Sequence, residues 1–201
     1  MKTLPTRTLA RTAALALAAM LIPGAAAADG NSYVVLKGGV YVPTASNVVG
    51  SINFSSFPPS GDIELGVGTS LGILGLQLDA GYLWTSKNQD AGSVQVSGVP
   101  ITGVLQLRFP IAIVVPYVEA GVGLFINTAK LTAVSSSFSN TKVAFMAPLG
   151  GGIDVLLGPI LVGAEARYLY ISPQSYTFGT FPVSTLHMDG VVVTGNLGYR
   201  F

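Results

Sequence analysis

Residues 116–128 (PYVEAGVGLFINT) alternate between apolar side chains and small, polar or charged ones. Successive side chains of an extended strand point to opposite faces, so such a strand has one apolar face and one mixed face. The apolar face carries Val118, Ala120, Val122, Leu124 and Ile126. The opposite face carries Tyr117, Glu119, Gly121, Gly123 and Phe125. The pattern predicts a β-strand whose apolar side meets either a protein core or the hydrocarbon of a membrane.

The same alternation recurs in eight segments along the chain. They are residues 33–42, 62–71, 74–85, 94–109, 116–128, 143–156, 160–171 and 190–201. Eight alternating segments of about ten residues are what the smallest transmembrane barrels require. The sequence therefore predicts an all-β fold, an eight-stranded antiparallel up-and-down transmembrane β-barrel.

The connections between these segments alternate in length. Residues 72–73, 110–112 and 157–159 are predicted tight turns, whereas residues 43–61, 86–93, 130–142 and 172–189 are long and rich in Ser, Asn, Thr and Pro. A barrel with both termini on one side of the membrane has short turns on that side and long loops on the other. The alternation thus favours a membrane barrel over a soluble sandwich and predicts four external loops.

A leader precedes the first predicted strand. Lys2, Arg7 and Arg11 form a basic start, residues 13–22 (AALALAAMLI) form an apolar run, and a small-residue site ends at Ala28. This order is typical of a secretory signal peptide. The apolar run is too short for a membrane-spanning helix, which needs about 20 residues. We expect residues 1–28 to be a cleavable signal peptide and residues 29–201 to form one barrel domain.

The composition agrees with a barrel. Half of the residues are hydrophobic and 9% are charged, yet no segment after the leader reaches the roughly 20 consecutive apolar residues of a spanning helix. Removing the leader takes away three of ten basic residues and no acidic one, so the remaining formal charge is seven minus nine, −2. That charge gives no support for a nucleic-acid partner. Cys is absent, so no disulfide is expected.

Three short motifs carry a family resemblance. GGVYVP near the start, VPYVEAGVGL in the middle and LGYRF at the end resemble the eight-stranded bacterial outer-membrane barrels of the OmpW/OmpX/OmpA-like group. The resemblance implies an outer-membrane location, contact with outer-membrane lipids, and periplasmic chaperones and the barrel-assembly machinery as partners during biogenesis. It also implies that Tyr199 and Phe201 form the C-terminal assembly signature. The OmpW-like subset suggests passage of small hydrophobic molecules.

The mixed faces of the predicted strands hold nearly all of the strand charges. They are Lys37, Glu64, Asp79, Arg108, Glu119, Asp154, Glu165, Arg167 and Arg200. A charge that faces lipid near the midplane costs about 2–4 kcal/mol for Arg or Lys, so these side chains are expected to point into the lumen. Three interpretations follow: a structural network of paired charges, an ion or solute path lined by them, or a general acid/base pair formed by Asp and Glu side chains.

One segment invites a catalytic hypothesis. His187, the sole histidine, follows Ser184 and Thr185 and precedes Asp189. A Ser/His/acid group can act in nucleophilic hydrolysis, and lipid A-modifying enzymes also occur as eight-stranded barrels. All four residues belong to one short segment without a recognisable motif, so a polar residue near the membrane surface is the simpler interpretation. One His and no Cys cannot supply a usual transition-metal site, and no cofactor is predicted.

The function classes therefore stand as follows. The leading hypothesis is a non-enzymatic barrel, either structural or a narrow conduit for small molecules. The alternatives are a surface adhesion or interaction protein that acts through its external loops, and a lipid A-modifying enzyme built around His187.

Overall fold

The structure is a computed structural model that describes residues 31–44, 48–49, 52–53, 59–89, 92–133, 136–174, 177–178, 181–182 and 187–201. The predicted signal peptide and its cleavage site lie outside the described residues. Eight long strands form a closed antiparallel barrel, so the predicted fold class is confirmed.

The barrel strands are numbered β1 to β8 in chain order. They are β1 Ser32–Pro43, β2 Ser60–Leu71, β3 Leu74–Gln89, β4 Gly92–Arg108, β5 Val114–Ala133, β6 Ser136–Leu157, β7 Ile160–Ile171 and β8 Gly190–Arg200. Each strand pairs with its neighbours in sequence, and β1 pairs with β8 to close the sheet. In that closing pair Lys37 lies opposite Asn196, and on its other side Lys37 lies opposite Glu64 of β2.

Among the described residues, no helix has the length and apolar character needed to cross a membrane.

One end of the barrel, called here the short-turn end, carries the tight connections. Gly72 and Ile73 join β2 to β3, and Gly158 and Pro159 join β6 to β7. Gly72 and Gly158 have φ of 67° and 65°, in the left-handed region that glycine adopts without a steric penalty. The connection from β4 to β5 spans residues 109–113, slightly longer than the predicted 110–112.

The opposite end, called the long-connection end, departs from the prediction. Residues 86–93 and 130–142 were expected to be loops, but β3 reaches Gln89, β4 starts at Gly92, β5 reaches Ala133 and β6 starts at Ser136. Backbone pairing between the two arms extends to Gln89 with Gly92 in one hairpin and to Ala133 with Ser136 in the other, which a composition rich in Ser and Thr does not reveal. The other two long connections hold short hairpins, Val48–Val49 with Ile52–Asn53 and Thr177–Phe178 with Phe181–Pro182.

The side chains of the wall sort by residue parity, as predicted. On β5, Val122 is 61% exposed and Val118 and Leu124 are also exposed, whereas Tyr117, Glu119 and Phe125 are buried. The apolar faces of all eight strands form a continuous outer surface, and the mixed faces line the interior. Since the bilayer hydrocarbon covers the outer surface, its apolar exposure stabilises the barrel in lipid and would not be tolerated in water.

Trp84 offers a direct test of this parity. It is the sole tryptophan, lies on the outer face of β3 and is 45% exposed. We expect brominated phospholipids to quench the fluorescence of the refolded protein strongly, and aqueous iodide to leave it almost unchanged. The opposite quenching pattern would show that β3 is shifted by one residue, because such a shift exchanges the two faces of a strand.

Candidate functional site in the barrel lumen

The side chain of Arg167, on β7, lies in the middle of the lumen and is 1% exposed. Its Nη2 lies 2.5 Å from Glu64 Oε2, and its Nε lies 2.6 Å from Glu165 Oε1. Both contacts are ion pairs, and the one with Glu64 is also a hydrogen bond. Asp79 Oδ2 lies 3.7 Å from Nη1, and Glu119 Oε1 lies 3.8 Å from Nε. One guanidinium therefore bridges carboxylates from β2, β3, β5 and β7.

Lys37 of β1 is the second cation in this group. Its Nζ lies 3.3 Å from Asp79 Oδ2 and 3.0 Å from Glu165 Oε2. Lys37 and Arg167 thus share Asp79 and Glu165, and the six residues form one connected set. This ion-pair cluster consists of Lys37, Glu64, Asp79, Glu119, Glu165 and Arg167. All six side chains are buried, and pairing reduces the large free-energy cost of removing their charges from water.

A separate ion pair lies towards the short-turn end. Arg108 Nη2 donates to Asp154 Oδ2 at 2.6 Å, and Arg108 Nη1 donates to Gln106 Oε1 at 2.7 Å. The guanidinium carbon also lies 5.5 Å and 5.3 Å from the ring centroids of Tyr33 and Tyr117. Cation–π contacts of this kind stabilise a desolvated cation, so Arg108 is held from two sides.

Two glutamines connect this pair to the ion-pair cluster. Gln106 Nε2 donates to Glu119 Oε2 at 2.9 Å, and Gln77 Nε2 donates to Asp79 Oδ1 at 2.7 Å. The hydroxyl of Tyr117 donates to Glu165 Oε2 at 2.8 Å. A continuous network of polar side chains therefore occupies the lumen from the Arg108–Asp154 pair to the ion-pair cluster.

Glycines in the wall let the long charged side chains lie flat against it. A Cβ atom at Gly150 would lie 2.8 Å from Arg167 Cγ, and one at Gly81 would lie 2.5 Å from Glu64 Cγ. Both distances are too short for real Cβ contacts, so the side chains of Arg167 and Glu64 occupy the space that these glycines leave. This explains why the mixed faces are rich in glycine.

An apolar cluster fills the lumen towards the long-connection end. Its members are Tyr41, Leu83, Phe125, Ala144, Met146, Leu169, Ile171, Met188 and Val192. The hydroxyl of Tyr41 donates to the carbonyl oxygen of Met188 at 2.6 Å, which ties the segment before β8 to the cluster. The sequence analysis missed this cluster. The signal was present, because Tyr41, Phe125 and Leu169 share the parity of Lys37, Glu119 and Arg167 on their strands.

Asp62 is a further lumen carboxylate that the sequence analysis missed. It lies on β2 two residues before Glu64, which places both side chains on the inner face. It is 3% exposed, and neither of its carboxylate oxygens has a hydrogen-bond partner among the described residues. The same parity argument that identified Glu64 identifies Asp62.

The predicted site residues divide into two groups. Eight of the nine predicted lumen charges are buried inside the barrel, in the ion-pair cluster and the Arg108–Asp154 pair. Arg200 is half-buried at the short-turn end of β8, opposite Tyr33. Tyr199 and Phe201 are exposed on the outer surface, and their part in assembly stays a prediction.

The segment proposed for catalysis is only partly described. Ser184 and Thr185 lie outside the described residues. Asp189 Oδ1 accepts a hydrogen bond from the backbone N–H of Ile171 at 2.8 Å, so this carboxylate holds the end of β7 in place. In the described part of the chain, no three or more His, Cys, Asp or Glu residues are grouped so that they could hold a metal ion.

Comparison with known proteins agrees with this geometry. The closed eight-stranded barrel with an apolar outer surface and charged lumen defines a small transmembrane β-barrel. The model of the outer membrane protein beta-barrel domain matches residues 12–201. The chain belongs to this family and is located in the bacterial outer membrane. The match confirms the resemblance to OmpW/OmpX/OmpA-like barrels. No curated protein sequence matches it.

Solved structures show the same fold at low sequence identity. Neisserial surface protein A (NspA) is 14% identical, with 86% of this chain and 98% of that chain covered and a TM-score of 0.57. Ail, the attachment invasion locus protein of Yersinia pestis, is 15% identical, with 85% and 99% covered and a TM-score of 0.53. Outer membrane protein W of E. coli is 20% identical, with 85% and 98% covered and a TM-score of 0.46.

The ion-pair cluster predicts a strong effect of replacing its central cation. In Arg167→Met, four buried carboxylates lose a partner, and we expect the free energy of unfolding to fall by about 3–5 kcal/mol. Arg167→Lys keeps the charge but not the forked geometry, so its loss should be smaller. Urea unfolding in micelles, followed by Trp84 fluorescence, measures both variants. An Arg167→Met protein as stable as the unmutated one would contradict the role given to Arg167.

Proposed function

We propose that this protein is a structural, non-enzymatic barrel of the outer membrane with a sealed lumen. The observation that carries the proposal is that side chains occupy the lumen along its length. The Arg108–Asp154 pair lies towards the short-turn end, the ion-pair cluster lies in the middle, and the apolar cluster lies towards the long-connection end. An eight-stranded barrel has an interior only just wide enough for side chains, so these groups leave no wide channel.

The apolar cluster and the ion-pair cluster block different kinds of solute. An ion or polar solute would have to leave water and cross the apolar cluster, which includes Phe125, Met146 and Leu169. A small hydrophobic molecule, as the OmpW-like resemblance suggests, would next meet Arg167 and its four carboxylates. Passage of either kind requires ion pairs or packed apolar side chains to separate. The arrangement therefore favours the structural hypothesis over the conduit hypothesis.

The catalytic alternative has less support. It depends on His187 with a nearby acid, and one oxygen of the Asp189 carboxylate accepts a hydrogen bond from the Ile171 backbone. This contact gives the Asp189 carboxylate a structural role at the end of β7.

Conductance measurements test the sealed lumen. We expect the refolded protein in planar bilayers to show no sustained single-channel steps, because paired charges and the apolar cluster block the barrel axis. A general porin reconstituted in the same way serves as the positive control. Large, sustained steps that depend on the amount of folded protein would overturn the proposal.

A second candidate function, surface interaction, is favoured by one observation. Strands β3 to β6 extend past the ends of their neighbours: β7 stops opposite Met146 while β6 begins ten residues earlier, at Ser136. Transmembrane strands need about ten residues, whereas β5 and β6 have 20 and 22. The four strands thus continue as a sheet beyond the barrel wall, at the end opposite the short turns. In barrels of this kind the short turns face the periplasm, so we expect this sheet to face the exterior.

The names of two similar structures fit this second candidate. NspA is a surface protein and Ail belongs to an attachment invasion locus. Both share the fold of this chain, and a sheet raised above the membrane gives a barrel a rigid surface for contact with other molecules.

Shortening the β5–β6 hairpin tests this candidate. Lys130 and Ser139 are paired in register, so residues 131–138 can be replaced by an Asn-Gly turn. We expect the variant to keep the heat-dependent gel mobility of a folded barrel, because the wall is intact, and to lose adhesion of displaying cells to immobilised extracellular-matrix proteins. The control is a variant of unchanged length in which only residues 134 and 135 are substituted. Equal adhesion of the shortened and full-length proteins, or no adhesion by either, would count against the candidate.

A further inference from the structure

The three tight connections at the short-turn end carry no polar side chain. They comprise residues 72–73, 109–113 and 158–159, which are all apolar or glycine. Ile111, at 66%, is the most exposed large apolar residue in the described part of the chain. Five large apolar residues in or next to these turns are each more than half exposed and form an apolar rim at this end of the barrel: Leu71, Ile73, Ile111, Ile113 and Leu157.

Water is a poor environment for this rim. Turns that face water are usually built from Gly, Pro, Asn, Asp and Ser, and here large apolar residues stand where the polar ones are expected. The rim is also continuous with the outer wall. Leu71 pairs with Leu74, Leu157 pairs with Ile160, and all four side chains are exposed. The hydrocarbon that covers the wall therefore meets the rim without a polar boundary between them.

The backbone of the turns makes many of its hydrogen bonds within the protein. The N–H of Ile111 donates to the carbonyl oxygen of Val114 at 2.7 Å, and the N–H of Val114 donates back at 3.0 Å. The carbonyl oxygens of Ile73 and Pro159 accept from backbone N–H groups of β4 and β8 at 2.8 and 2.7 Å. Pro110 and Pro159 have no N–H that needs a partner. Such internal pairing is what a lipid environment demands of a backbone.

The height of the wall places the rim at the boundary of the hydrocarbon. Trp84 and Tyr170 are exposed aromatic residues on the outer face towards the long-connection end, and aromatic girdles of barrels lie at the membrane interfaces. Trp84 lies ten residues after Leu74 (84 minus 74), and Tyr170 lies ten residues after Ile160 (170 minus 160). Ten residues of a strand tilted by about 40° rise about 25 Å, which is the height of the apolar band in such barrels. Since Leu74 and Ile160 directly follow the turns, the band reaches the turns themselves.

We propose that the apolar rim is a lipid-contact surface, with the short turns inserted among the phospholipids of the periplasmic leaflet instead of projecting into the periplasm. A protein partner is recognised through hydrogen bonds as well as apolar contacts, and the side chains of these turns offer none. This placement does not depend on whether the lumen is sealed. The described part of the barrel then extends beyond the bilayer only at the long-connection end.

Spin labels test this placement, because the chain has no cysteine of its own. Ile73→Cys and Ile111→Cys are labelled with a nitroxide and refolded into phospholipid vesicles that contain no other protein. Val118→Cys on the outer wall is the lipid control, and Thr141→Cys, exposed on β6 beyond the end of β7, is the water control. We expect oxygen to relax both rim labels several-fold more than a water-soluble nickel chelate does, as at Val118, and the reverse at Thr141. Heat-dependent gel mobility confirms that each variant is folded, and either rim site alone decides the outcome.

The depth of Trp84 provides a second readout in the unmutated protein. Phospholipids brominated near the headgroup should quench its fluorescence more strongly than phospholipids brominated at the chain ends, because the apolar band runs from Trp84 to the turns. Rim labels that the nickel chelate relaxes as strongly as at Thr141 would place the turns in water, where a protein partner has access. Spin–spin broadening between rim labels would show that a second copy covers the rim. Either result, or strongest quenching of Trp84 by chain-end bromine, would overturn the proposal.

Discussion

The pairing of β1 with β8 is the interaction on which the rest of the structure depends. Eleven residue pairs, from Tyr33 with Arg200 to Pro43 with Gly190, close the sheet. In lipid an open strand edge leaves backbone N–H and C=O groups without partners, each at a cost of several kcal/mol. Closure removes those edges and creates an interior and an exterior at the same time. Every other feature of this protein follows from what can occupy each side.

The interior is narrow, and this decides how its charges are used. With eight strands the lumen has about the width of two opposing side chains, so Arg167 of β7 reaches carboxylates on β2, β3 and β5. The charges then have mainly one another as partners. Towards the long-connection end, apolar side chains replace them on the same strands and with the same parity. The lumen is thus built as a protein core with an ionic part and an apolar part.

The wall and the extension of β3 to β6 beyond it are subject to different constraints. The wall must alternate in polarity and match the thickness of the bilayer, and many sequences meet those demands. This explains why NspA and Ail share the fold at 14% and 15% identity. The sheet formed by the outer parts of β3 to β6 is not bound by the bilayer, so it can differ from one family member to another without loss of the barrel.

The sequence by itself determined the strands, their faces and the position of the short turns. Polarity that alternates with a period of two is a local property, and it can be read from each segment without knowledge of its neighbours. Parity also assigned Glu119, Arg167 and the other charges to the lumen, and applied to the start of β2 it would have included Asp62. The strand ends beyond residues 85 and 128 could not be read in this way, because Ser- and Thr-rich segments form either loops or paired arms.

Only the tertiary structure decided which charges meet. Arg167 and Glu64 are 103 residues apart in sequence, and Lys37 and Glu165 are 128 apart. Their contact depends on the register of every intervening strand pair and on the tilt of the closed barrel, which are set by the whole sheet and not by any one segment. The same register leaves Asp62 beside Gly39 and Leu83, without a donor. Which charged side chains pair in the lumen therefore depends on how the whole sheet closes, and no single segment of the sequence determines that.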